Sequence, residues 1–118
     1  MAKDNLILTL TYQFSLDIIK YVSKLKELRK YEVAKQVLRS GTSIGANTRE
    51  AQSAESNKDF IHKFKIAHKE VLETEYWLML CRDSDGYPIP EGFLEQLKSI
   101  DNIIAKIIIS TKGKTNNS

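Results

Sequence analysis

The sequence holds one cysteine, Cys81, so no disulfide can form within the chain, and whatever fold it adopts must be held by its core. It holds only two prolines, Pro88 and Pro90, and five glycines in 118 residues. Both prolines fall in one stretch, DSDGYPIPEG at 83–92, which leaves long segments on either side without a strong breaker. It has no apolar run near the roughly 20 residues that span a bilayer. The longest candidate, 103–109, is interrupted by Lys106. The opening MAKDNLILTLTYQF lacks a basic leader, a long apolar run and a cleavage site, so the expectation is a soluble, cytoplasmic protein with no membrane contact. Neither charge sign dominates: 18 Lys and Arg stand against 15 Asp and Glu, a net charge of +3. That balance permits a nucleic-acid partner without demanding one. A chain of this length fits one domain over residues 1–118.

What is present is helical periodicity. Ile7, Leu10, Phe14, Ile18, Tyr21, Leu25 and Leu28 recur in steps of three and four, which only a helix gathers on one face. The same step runs through Phe60, Phe64, Ala67, Val71, Leu78 and Cys81, with Ile61, Ile66, Leu72 and Met79 widening the stripe and Ser56 or Asn57 available as N-cap. It returns in Phe93, Leu97, Ile100, Ile104, Ile107 and Ile108. Helices are expected at about 4–28, 32–54, 57–84 and 91–111, followed by a polar tail at 112–118. Strand alternation is absent. Four amphipathic helices with short connections give an all-α, antiparallel up-and-down four-helix bundle.

The second helix contains the odd stretch LRSGTSIGANTRE at 38–50. Val33, Val37, Ser40, Ile44, Asn47, Ala51 and Ala54 keep the helical step, although the middle of the stripe is small or polar. A Walker loop would place Lys and Ser or Thr after the second glycine and a strand before the first; Gly45 is followed by Ala46 and Asn47. Two glycines inside a helix cost about 1 kcal/mol each relative to alanine. Gly41 and Gly45, four residues apart, therefore point to a neighbouring helix that presses close, with Ser43 and Asn47 alongside as packing or subunit-contact positions.

Signatures of catalysis are few. His62 and His68 are six residues apart and face different ways, and no HExxH or Glu-x-x-His pair occurs. DSDG resembles a calcium loop, but placing Gly86 at the turn position puts Cys81 and Gly92 where carboxylates belong. His68 and Cys81 border apolar stripes and read as packed residues, and Glu70, Glu73 and Glu75 read as solvated ion-pair partners more readily than as a catalytic pair. No cofactor, metal or enzymatic role is expected. Basic residues carry the functional lead. Lys58, His62, Lys65 and Lys69 follow the helical step and form one stripe, and Lys20 and Lys24 begin a second cluster that continues through Lys26, Arg29 and Lys30. Such stripes can track a sugar-phosphate backbone; a solvated helix face has the same pattern.

Two segments, LRSGTSIGANTREAQSAES at 38–56 and DFIHKFKIAHKEVLETEYWLMLCRDS at 59–84, resemble the bacterial four-helix-bundle proteins encoded within 23S ribosomal RNA intervening sequences, also labelled S23 ribosomal proteins. The shared core is Ser43, Ile44, Gly45, Ala46, Asn47, Glu50 and Ala51, then Lys69, Glu70, Glu73, Thr74, Tyr76, Trp77 and Leu78. Thr48 stands where many members carry an aliphatic residue, and the proline often found entering the second helix is missing. Relatives include the accessory proteins of diversity-generating retroelements. The resemblance implies a homo-oligomer, in the form of a pentameric ring, that associates with RNA or DNA and with a protein partner such as a reverse transcriptase. Tyr76 and Trp77, large rings at the edge of an apolar stripe, are the aromatic anchors expected at a subunit contact; Trp77 could equally complete the protomer's own core.

Overall fold

In the computed structural model, which describes the backbone of residues 2–117 and the side chains of residues 6–114, the periodic segments form α1 (Ala2–Glu27), α2 (Tyr31–Ala51), α3 (Asn57–Asp83) and α4 (Phe93–Asn117). Each helix packs on its two neighbours, α1 on α2, α2 on α3, α3 on α4 and α4 back on α1, which leaves α1 and α3 on one diagonal. Short connections make consecutive helices antiparallel, and the result is an all-α up-and-down bundle measuring 53 × 21 × 21 Å. The core runs its full length, from Ile7 and Phe64 through Phe14, Ile18, Ile44 and Ile104 to Leu25, Val37 and Leu78. Leu28, Leu72 and Met79, which continue the apolar stripes in sequence, are exposed.

The lean middle of α2 is helical throughout and lies against α1. A Cβ added at Gly41 would stand 3.0, 3.1 and 3.3 Å from three side-chain atoms of Ile18, itself fully buried. At Gly45 the nearest atoms belong to Thr11, all at 3.4 Å, an ordinary contact. The two glycines therefore differ: Gly41 is needed to let the helices approach, whereas Gly45 tolerates a methyl group. One turn further on, the buried hydroxyls of Thr11 and Thr48 meet at 3.2 Å. Both also lie within bonding distance of their own helix's carbonyls, Thr11 of Ile7 and Thr48 of Gly45. Threonine at 48 is thus matched by threonine at 11, and burial leaves no polar group orphaned.

The helix ends depart from the expected boundaries for local reasons. α1 closes with a Schellman arrangement, in which the N–H of Lys30 reaches the Leu25 carbonyl and that of Arg29 the Lys26 carbonyl. Arg29 occupies the left-handed position at φ 62°, where glycine is usual. α2 stops at Ala51 because the N–H groups of Gln52, Ser53 and Ala54 bond three residues back and tighten the final turn. α3 starts at a cap in which the Ser56 hydroxyl accepts from the Asp59 N–H at 3.0 Å. The Ser84–Gly92 connector turns through Gly86 and Gly92, both at positive φ, and is pinned by the Tyr21 hydroxyl donating to the Pro88 carbonyl at 2.7 Å. α4 continues through residues 112–117 of the expected polar tail, and of that tail Ser118 lies outside the described residues. Buried Thr111 anchors this last part, and Lys114 in the last turn suits the negative end of the helix dipole.

Gly41→Ala should lower stability by up to about 2 kcal/mol, overpacking against Ile18 outweighing the gain in helix propensity, while Gly45→Ala should raise it by up to about 1 kcal/mol. In an Ile18→Ala background the Gly41→Ala penalty should disappear, as a double-mutant cycle of urea unfolding would show. Arg29→Gly should add about 1 kcal/mol by relieving the left-handed backbone, read in the same assay.

Candidate nucleic-acid interface

The buried face of α3 is set by Phe64, Ala67, Val71, Thr74, Leu78 and Cys81. That register turns Lys58, His62, Lys65 and Lys69 outward, and all four are exposed. They form a ridge about 16 Å long at 1.5 Å per residue. Among the described residues none of the four is in an ion pair, whereas Lys63, further round toward α2, is bonded to Glu50 at 3.1 Å. Lys20 and Lys24 are exposed too, but on α1, across the diagonal and toward the end that carries the 84–92 connector. The structure does not bring the two basic clusters together.

The remaining candidates divide between the flanks of α3. Toward α2, the Arg39 guanidinium contacts both carboxylate oxygens of Glu70 at 3.4 Å and pairs with Glu73. Glu73 also accepts from the Trp77 indole N–H at 3.1 Å. Toward α4, the His68 Nδ1 lies 2.7 Å from Asp101. Glu70 and Glu73 are therefore held apart from His68 rather than convergent on one pocket. Cys81 is buried, its thiol pKa pushed up by desolvation, and the Tyr21 hydroxyl beside it is raised for the same reason. Ser43 and Asn47 are half-buried and donate to carbonyls of their own helix, Arg39 and Ser43 respectively. Among the described residues no three His, Cys, Asp or Glu side chains are grouped as metal ligands, and no helix is long and apolar enough to cross a membrane.

One part of the ridge goes beyond the basic stripe. The step 58, 62, 65, 69 continues to Leu72, Tyr76, Met79 and Leu80, all exposed, so the outer face of α3 is cationic along its first half and apolar along its second. The signal lay in the spacing, but assigning Leu72 and Met79 to the core hid it. Trp77 folds partly into the protomer's core, while Tyr76 keeps 59% of its surface exposed with its ring 5.9 Å from the indole in an edge-on arrangement.

A family model described as 23S rRNA-intervening sequence protein matches residues 3–109. Among solved structures, the chain is similar to a protein with unknown function from the S23 ribosomal protein family of Bacteroides thetaiotaomicron VPI-5482, at 38% identity over 90% of this chain and 94% of that one, with a TM-score of 0.82. No curated protein matches it.

Bonding to Arg39, then to Trp77, holds the Glu73 carboxyl below the ordinary glutamate value of 4.5. A lowered folded-state pKa contributes stability above pH 4.5 that is lost as pH falls through the folded value. Glu73 is more than a third exposed, so solvent screening limits Glu73→Gln to a cost of at most about 1 kcal/mol at neutral pH. That cost should shrink toward zero in acid, as paired thermal melts across the pH range would show.

Proposed function

The chain belongs to the 23S rRNA-intervening sequence protein family, and from that premise we propose that it is a non-enzymatic, cytoplasmic helical bundle that binds RNA or DNA weakly and with little sequence preference through the outer face of α3. The observation that supports this is the exposed ridge of Lys58, His62, Lys65 and Lys69 on one helix, none of them in an ion pair among the described residues. Fixed cations in a row release counterions from a phosphate backbone and read no base, so they supply affinity without specificity. One ridge makes few contacts. Self-association, as the five-membered ring implied by the family resemblance, would repeat it and convert weak contacts into useful avidity.

A second reading is a scaffold that holds a protein partner, such as a reverse transcriptase, with nucleic acid touched only by that partner. Tyr12, Leu16 and Ile19 favour it, because they expose an apolar strip along α1 that water solvates poorly. Recovery of a partner from the native cell that survives nuclease treatment would select this reading over direct binding.

Direct binding predicts that anisotropy of a labelled RNA hairpin rises with protein at low salt, log Kd being linear in log salt. Lys65→Glu with Lys69→Glu should weaken binding about tenfold or more for every sequence tried and flatten the salt slope by about two. Absence of binding at low salt would remove the proposal.

A further inference from the structure

The outer ridge of α3 changes character at its midpoint, and the order of that change restricts the ligand. From Lys58 to Lys69 it presents three lysines and His62; from Leu72 to Leu80 it presents apolar groups, with Tyr76 at the centre. Tyr76 follows Lys69 by seven residues, two helical turns or about 10 Å along the same face. Its ring is braced by Trp77, which is itself held by Glu73 and the core, so it stands off the helix with little freedom to lose on binding.

A duplex offers such a surface only phosphates and groove edges, since its base faces are stacked inside. An unpaired strand offers both phosphates and a free aromatic face. We propose that the α3 ridge is a binding site for single-stranded nucleic acid, in which Lys58, His62, Lys65 and Lys69 carry successive phosphates and an unstacked base lies on Tyr76. This rests on the nucleic-acid reading above and narrows it to single strands.

The test compares a fluorescein-labelled oligouridylate with a blunt RNA duplex of equal length, by anisotropy at low salt. Wild type should bind the single strand more tightly. Tyr76→Ala should weaken single-strand binding about fivefold or more and leave duplex binding unchanged, while Tyr76→Phe retains the wild-type preference. Lys65→Glu with Lys69→Glu should weaken both ligands together. If wild type binds both probes equally and Tyr76→Ala changes neither, the base platform is wrong while general backbone binding stands. If Tyr76→Ala weakens both alike, or light scattering shows that it breaks up an assembly, the ring serves protein contact and the inference fails. Binding of neither probe by wild type would remove both readings.

Discussion

The approach of α2 to α1 is the constraint on which the rest of the bundle depends. Because Gly41 carries no side chain, Ile18 can lie in the groove it leaves, and the Thr11 and Thr48 hydroxyls two turns away come within bonding distance. With α2 drawn in, its opposite flank presents Arg39 and Glu50 to α3, where they meet Glu70, Glu73 and Lys63. These exposed ion pairs add little energy, but they take up charges on the α2 side of α3 and help fix its rotation. What remains outward is the ridge from Lys58 to Leu80.

Rotation matters because a helix offers its solvent only what its neighbours leave. On α3 one flank is committed to Arg39 and Glu50, the other to Asp101 through His68, and the inner face to the core. Among the described residues the outward lysines have no ion-pair partner, and their field reaches about one Debye length, roughly 10 Å at 0.1 M salt. A mild overall excess of +3 is therefore less informative than its placement. Lys20 and Lys24 contribute to the net charge without joining the same surface.

Much of the fold was legible. Steps of three and four named the four helices, and the absence of a Walker or metal pattern in LRSGTSIGANTRE pointed to packing. Boundaries were less legible where backbone hydrogen bonds decide them. Arg29 takes a position that glycine usually marks, so nothing in the sequence flags the α1–α2 turn, and Gln52 to Ala54 keep the helical pattern after the chain has tightened out of it. The polar composition of KGKTNN suggests a stop, yet α4 persists through it, and a buried threonine and one basic residue in the last turn suit that helix end. At the candidate interface, the basic stripe was visible and its apolar continuation was not.

The sequence by itself determined that the chain makes four amphipathic helices and that the second must lie unusually near a neighbour, because periodicity and the helix cost of glycine are local properties. Only the tertiary structure decided that the neighbour is α1, that Gly41 rather than Gly45 carries the steric requirement, and that Leu72 and Tyr76 face water beside the lysines. Those facts depend on how far each helix turns about its own axis when packed, a quantity set jointly by residues distant in the chain.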